Sequence, residues 1–297
     1  MANILLDERS ILITGASSGI GAATAVACAK RGMAVALVAR RAEKLEELGE
    51  LIRSTGGRAI EVACDVADPA ACEEAVERTR EAFGGVYAVF ANAGYGYEAP
   101  AIEETDERLR RIFEVNFFGS TNIIRPSLAL MREAGEGHVL LCSSILSKFT
   151  LPHYSAYSAT KAAQDHLGRA LRFELKGSGI YCSTVHPVST QTEFFDGVRE
   201  RSEIPRKQKA ERKWPKPQTP ERVAGAVVDT LVSPKGEVWT SFTGRMAAAL
   251  VTACPGLGDR LLLRASGRKI DKPKKAKRGK RPGKEAGPTP ETPTPGA

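Results

Sequence analysis

In the stretch PHYSAYSATKAAQDHLGRAL, residues 152–171, Tyr157 stands four places before Lys161. Four residues is just over one turn of helix, so on a helix the phenol and the ammonium share a face, with Cβ atoms about 5–6 Å apart. Such a pair is either ordinary helix covering or an acid held beside the charge that tunes it. A tyrosine with a pKa near ~10 grips its proton too tightly to exchange it readily in both directions at neutral pH. A fixed positive charge one turn away favours the phenolate, so the second reading predicts a lowered phenol pKa.

A second chemistry lies near the N-terminus. ILITGASSGIGAATAVACAKRG sets Gly15, Gly19 and Gly21 between an apolar run and a helical pattern. Glycines there let the chain turn tightly and bring backbone N–H groups, together with the positive end of a helix, against a pyrophosphate. The spacing is GxxxGxG rather than GxGxxG. Twenty-odd residues on, the next apolar run ends in ALVARRAEKL. An acidic residue at that strand end would indicate NAD; Arg40 and Arg41 stand there instead, and guanidinium groups match a 2′-phosphate in charge and shape. NADP(H) is the cofactor expected. Asp65, in CDVAD, is placed either to receive an adenine amino group or to cap the following helix.

The elements that must position these groups alternate regularly. Strands are predicted at 10–14, 34–39, 58–64, 86–92, 137–143, 179–186 and 237–241, and helices at 19–31, 41–55, 69–83, 105–133, 156–176 and 220–233. Strands apolar almost throughout, separated by helices, imply a parallel sheet covered on both faces. The expectation is an α/β, doubly wound Rossmann fold in one domain over residues 1–242. Residues 193–218, charged and proline-punctuated, are placed as a substrate lid. Residues 243–267 read as an amphipathic helical extension, and 268–297 as a basic, Pro/Lys-rich disordered tail.

Charge and cysteine usage narrow the field. The 297 residues carry a formal charge of +8, but ten Lys/Arg against three Asp/Glu fall between Arg268 and Ala297, so the folded part is nearly neutral. That argues against a nucleic-acid-binding body. The six cysteines show no CxxC and the four histidines no HxxxH, so neither a disulfide scaffold nor a metal site is expected. The N-terminus does not read as a signal peptide, no window is apolar enough to span a bilayer, and the thiols suit a cytoplasmic protein.

TGASSGIG, ANAG after the fourth strand, VNFFG, CSS and YSATK occur in an order and spacing that resemble the short-chain dehydrogenase/reductase family over residues 10 to about 240. The resemblance implies a Rossmann fold, a nicotinamide cofactor, interconversion of an alcohol and a carbonyl, and a homodimer or homotetramer. It implies Tyr157 as general acid/base, Lys161 beside it and on the nicotinamide ribose, Ser144 (rather than Ser143) polarising the substrate oxygen, and Asn116 tethering a water that links the lysine to solvent. Cofactor contacts fall on Gly15, Ser17, Ser18, Gly19, Ile20, Gly21, Arg40, Arg41, Asp65, Val66, Asn92, Ala93, Gly94, Tyr157, Lys161, Pro187, Thr190 and Thr192.

Three positions depart from the family pattern: Val188 follows Pro187 where glycine is usual, Ala91 replaces the first asparagine of the ANAG stretch, and Ser147 stands where a glycine often follows the serine. Phe194, Phe195, Trp214, Tyr95 and Tyr97 are candidates to line an apolar pocket, which suggests a medium-to-large lipid-, steroid- or retinoid-like substrate. The extension and tail together suggest peripheral membrane contact. The competing reading is a catalytically silent NADP-binding regulator or scaffold whose tail holds nucleic acid or acidic partners.

Overall fold

The computed structural model describes residues 3–202 and 217–265. Seven strands, β1 (Ser10–Thr14), β2 (Ala34–Ala39), β3 (Arg58–Ala63), β4 (Ala88–Ala91), β5 (Gly137–Cys142), β6 (Ile180–His186) and β7 (Glu237–Trp239), form one sheet. Every pairing is parallel, in the order β3-β2-β1-β4-β5-β6-β7. The order reverses between β1 and β4, and in an open parallel sheet a crevice opens beyond the strand ends at that point.

Alternation along the strands feeds two cores. Ile11, Ile13, Val35 and Leu37 pack on one face of the sheet. Leu12, Ala36, Val38 and Val89 pack on the other. Helices α1 (Gly19–Ala29), α2 (Ala42–Ser54) and α8 (Pro220–Val232), with α3 (Pro69–Phe83), α4 (Asp106–Phe113), α5 (Gly119–Ala134) and α6 (Ser155–Glu174), supply the remaining layers. Pro69 at the first turn of α3 needs no N–H partner, and the Asp68 carboxylate accepts from the amides of Ala70 and Ala71. Asp68 is thus the cap of that helix; Asp65 is not.

The helix expected over 105–133 is two helices joined by a π-helical turn, Glu114–Phe118, which places Asn116 in the interior at 0% exposure. Such a bulge re-aims one side chain without ending the helix, and is frequent at functional sites. Beyond the sheet, α7 (Phe194–Arg201) occupies the start of the lid region. The C-terminal extension is two helices, α9 (Phe242–Ala253) and α10 (Pro255–Ala265), separated at Cys254 because Pro255 cannot continue α9. Trp214, most of the lid and the tail from Arg268 lie outside the described residues. Among the described residues, no helix is long and apolar enough to cross a membrane.

Candidate active site

The turn after β1 carries the anion-binding geometry. Gly15 has φ +67°, a left-handed conformation that glycine adopts without strain. A Cβ on Gly21 would stand 2.3 Å from the Gly15 carbonyl oxygen, so the turn closes only because Gly21 lacks one. Ser18 lies in extended backbone at the N-terminus of α1 and its side chain does not cap the helix. The first-turn amides of α1, with their partial positive charge, therefore face the crevice. Thr192 packs its methyl against Gly19 from the far side of that crevice, with a Cβ on Gly19 falling 3.0 Å from Thr192 Cγ2. These features fit a dinucleotide's pyrophosphate.

Around the turn the expected contacts divide. Arg41 reaches across it, donating to Ser17 Oγ and Ser18 Oγ at 3.0 Å and to Glu193 Oε2 at 3.0 Å. Arg40 is exposed at the end of β2. Asp65 takes the Ala67 amide at 3.1 Å and the Arg111 guanidinium at 2.8 Å. Burial opposes its charge, but these donors and nearby Arg40 hold its carboxyl below the usual range. Asn92 spends its amide on the Thr14 carbonyl, while Thr14 Oγ1 accepts from the amides of Asn92 and Ala93. Asn92 therefore braces β4 against β1 beneath the turn. Val66 is buried, its carbonyl taking Asn122 Nδ2, and Ile20 packs on the core below the turn. On the other rim, the Pro187 carbonyl accepts from Ile145 N, and Thr190 pairs with Gln218. Val188 avoids positive φ, which is how the site accommodates a residue larger than glycine there.

The reacting groups converge at the β5 and α6 ends of the crevice. Tyr157 and Lys161 lie on one face of α6, both buried, with Lys161 Nζ 5.7 Å from the phenol ring centroid. Lys161 donates to the Cys142 carbonyl and to Gln164 Oε1, both at 2.8 Å. The Ser144 hydroxyl faces the Tyr157 phenol closely enough to pull its pKa down. Ser144 Oγ also accepts from Leu146 N at 3.1 Å, which leaves its own proton to be donated toward the phenol. Ser143 instead gives its proton to the Lys161 carbonyl, away from the phenol. Asn116 accepts from Tyr95 N and donates to Tyr95 O and Thr160 Oγ1, so a polar side chain in the interior is fully satisfied.

The direction of the tyrosine shift corrects the sequence expectation. Burial pushes the Tyr157 phenol well above its ordinary value, and the Ser144 hydroxyl offsets this only in part. Burial likewise holds the Lys161 ammonium below its usual range. Both follow from loss of water around an ionised form. The ammonium, committed to two oxygens on its own side, does not outweigh that loss.

One participant escaped sequence reasoning. Gln164 links Lys161 to Ser120, donating to Ser120 Oγ at 2.7 Å, and Ser120 donates to the Asn116 carbonyl. Its spacing of three from Lys161 on α6 was the available signal. Phe194, at the start of α7, lies over Tyr157 with ring centroids 5.4 Å apart, and Phe195 packs edge-on behind it. Tyr95, Tyr97, Phe149 and Val198 belong to the same apolar cluster.

With this geometry in place, comparison with known proteins assigns the class. The family model for short chain dehydrogenases matches residues 9–203. The chain belongs to the short-chain dehydrogenase/reductase family of oxidoreductases. It is 33% identical over 198 residues to an uncharacterized oxidoreductase of Listeria innocua, covering 66% of this chain and 80% of that one. A fatty acyl-CoA reductase of Mycobacterium tuberculosis is 30% identical over 208 residues, 67% and 70% of the two chains. Among solved structures, a short-chain dehydrogenase/reductase of Burkholderia phymatum in complex with NAD shares the fold, with a TM-score of 0.76 at 24% identity over 86% and 96% of the chains. A 3-ketoacyl-(acyl-carrier-protein) reductase of Brucella melitensis complexed with NADH gives 0.70 at 26% identity over 80% and 98%. An alcohol dehydrogenase of Thermococcus sibiricus complexed with 5-hydroxy-NADP gives 0.67 at 29% identity over 78% and 95%.

Proposed function

We propose that the protein is an NADP(H)-dependent oxidoreductase interconverting a carbonyl and an alcohol on an apolar substrate, with Ser144, Tyr157 and Lys161 as the reacting set and Asn116 as their support. The observation that carries this reading is the buried Tyr157 phenol, facing the Ser144 hydroxyl and sharing a helix face with Lys161. A bound nicotinamide cofactor supplies or accepts the hydride. Tyr157 then gives its phenolic proton to the carbonyl oxygen as that oxygen gains charge, and takes it back in the reverse direction. Ser144, which accepts from Leu146 N and has its own proton free, donates to the same oxygen. The raised phenol pKa keeps Tyr157 protonated at neutral pH, the form that carbonyl reduction uses. Lys161 keeps a cation below the phenol and within reach of a nicotinamide ribose. Tyr157→Phe tests the assignment: NADPH oxidation with a panel of aldehydes and ketones should drop by about 10²–10⁴-fold while NADPH binding persists.

Arg40 and Arg41 support the choice of NADP(H), Arg41 by bridging Ser17 and Ser18 at the turn and Arg40 by its open position at the end of β2. Arg40→Ala should weaken NADPH much more than NADH, and an equal loss for both would refute that choice. Phe194, Tyr95 and Tyr97 around the phenol support an apolar substrate of lipid type, and the named relative acting on fatty acyl-CoA points the same way. Turnover confined to small polar sugars would refute it.

We also read the protein as a cytoplasmic homo-oligomer with peripheral membrane contact. All six thiols are unpaired, which suits a reducing compartment. A surface groove on α4 and the π turn, lined by Leu109, Phe113 and Phe118 among Asp106, Arg110 and Glu114, supports self-association. Light scattering showing only monomers at high concentration would exclude it. On α9, Phe242, Met246 and Leu250 are exposed at a spacing of four, and Leu257 and Leu261 continue the exposed apolar surface on α10. With the Lys/Arg-rich segment following in sequence, that surface suits anionic lipid. Failure of anionic vesicles to retain the full chain at low salt would rule this out.

A further inference from the structure

Directly behind Ser144 lies a cluster of charged side chains that the proposed chemistry does not use. Lys148 Nζ stands 2.6 Å from Asp165 Oδ2 and 3.1 Å from Glu237 Oε1. Trp239 Nε1 donates to Glu237 Oε2 at 3.0 Å, and the Trp239 ring stacks on His186 with centroids 4.5 Å apart and planes at 16°. His186, at 0% exposure, places Nδ1 at 3.2 Å from the Ser144 carbonyl oxygen and 3.4 Å from Ser147 Oγ. A carbonyl only accepts, so the contact to Ser144 requires a proton on Nδ1, while the ring's Nε2 stands 3.5 Å from Asp165 Oδ1.

Asp165, His186 and Glu237 bring three ligand-type atoms within 4.8 Å of one another. The Lys148 ammonium already bridges the two carboxylates there, so the group is an ionic cluster with its own cation. Burial penalises the Glu237 charge, yet the hydrogen bonds from Trp239 and Lys148 bring its carboxyl down to about 2. The carboxylate is therefore held ionised at neutral pH.

The topology of this cluster is informative. Ser144 and Lys148 flank a single turn of 3₁₀ helix, Ile145–Ser147. One end of the turn is held through the Ser144 carbonyl by β6, and the other through Lys148 by α6 and β7. Asp165 follows Tyr157 by eight residues and Lys161 by four on α6, about 12 Å and 6 Å along the axis. The serine turn is thereby fastened to the same helix that carries the phenol and the ammonium. A hydroxyl that must donate to a reacting oxygen needs its backbone fixed to a fraction of an ångström.

We propose that Lys148 and His186 are positioning residues for Ser144: they clamp the two ends of the Ser144–Lys148 turn and keep the serine hydroxyl facing Tyr157. This rests on the oxidoreductase reading of Ser144 and Tyr157, and the test separates the two. In the full-length protein, Lys148→Met should lower kcat for NADPH-dependent carbonyl reduction by about 10–100-fold with the NADPH Kd within twofold of wild type, and Lys148→Arg should restore most of the loss. If Lys148→Met does not fold, Lys148→Met/Asp165→Asn removes the facing carboxylate charge as well and takes its place. Because Lys148 acts through Ser144, its replacement should cost little further in a Ser144→Ala background, as a double-mutant cycle reads directly.

A Lys148→Met loss of the same factor with and without Ser144, or no loss at all, overturns the positioning role. A Ser144→Ala variant as fast as wild type overturns the oxidoreductase assignment of the serine instead. Hydrogen exchange decides without turnover: backbone amides of 145–148 should exchange faster in Lys148→Met or its paired variant, while those of the Gly15–Gly21 turn do not change. Unaltered protection at 145–148 refutes the clamp.

Discussion

Replacing Gly21 with alanine adds one methyl at the tightest point of the phosphate turn. The new Cβ would lie 2.3 Å from the Gly15 carbonyl oxygen and 2.8 Å from Asn92 Nδ2. Neither neighbour yields easily, since one is backbone and Asn92 is tied to the Thr14 carbonyl at 2.9 Å. Restoring ordinary contact requires a backbone shift of about 1 Å, and overpacking of this kind costs roughly 1–3 kcal/mol. Alanine's better helix propensity returns up to about 1 kcal/mol. A net loss of about 1–2 kcal/mol corresponds to a Tm lower by about 2–8 °C in a domain of this size. The larger effect falls on the cofactor. Moving the amides away from a phosphate oxygen removes charge-assisted hydrogen bonds worth about 1.5–3 kcal/mol each, and loss of one weakens NADPH about 10–100-fold. Fluorescence titration with NADPH, alongside calorimetry, measures both quantities. Gly225→Ala is the control, because that glycine is exposed on α8 with nothing within 4 Å; it should stabilise by up to about 1 kcal/mol and leave the NADPH Kd unchanged. If Gly21→Ala binds NADPH as wild type does, the phosphate-turn reasoning is wrong; if it melts higher, the packing reasoning is.

Three further outcomes follow from the geometry. The Tyr157 phenol is shifted up by burial, so its protonated form contributes stability that is complete below about pH 10, the unfolded value, and is lost as pH rises through the higher folded value. Tyr157→Phe should therefore gain on wild type in urea stability only at alkaline pH; a constant difference from pH 7 upward would contradict the shift. Glu193→Gln releases Arg41 from its ion pair and should tighten NADPH about two- to fivefold in equilibrium titrations without altering NADH, a modest change because both side chains are about half exposed. Asn116→Ala leaves Tyr95 N, Tyr95 O and Thr160 without their partner in a buried π turn. It should cost about 2–4 kcal/mol in chemical denaturation, and a cost under 0.5 kcal/mol would show that the turn is held by other contacts.

Much of the architecture was legible in the chain because the signals are local. Short runs apolar almost throughout and glycine punctuation placed the strands and the phosphate turn, and the four-residue spacing put Tyr157 and Lys161 on one helix face. Spacing within an element survives folding unchanged. Other features depend on what meets what across the sheet. The π turn that buries Asn116 has no local signature beyond an awkward polar residue. Asp68, directly before Pro69, takes the capping role, and the Asp65 carboxylate instead meets Arg111, 46 residues on. Ser143 and Ser144 are equivalent by residue type; the family resemblance chose Ser144, and the path of β5 past α6 gives the reason, aiming Ser143 at the Lys161 carbonyl and leaving Ser144 facing the phenol.

The sequence by itself determined which residues share a helix face, where the chain must turn, and that a parallel doubly wound sheet would form, because each of these depends on neighbours a few residues apart. Tertiary structure decided the sign of the Tyr157 shift and the company kept by Lys148, Asp165, His186 and Glu237. Desolvation and ion pairing depend on surroundings assembled from distant segments, and no spacing along the chain encodes how much water remains around a group.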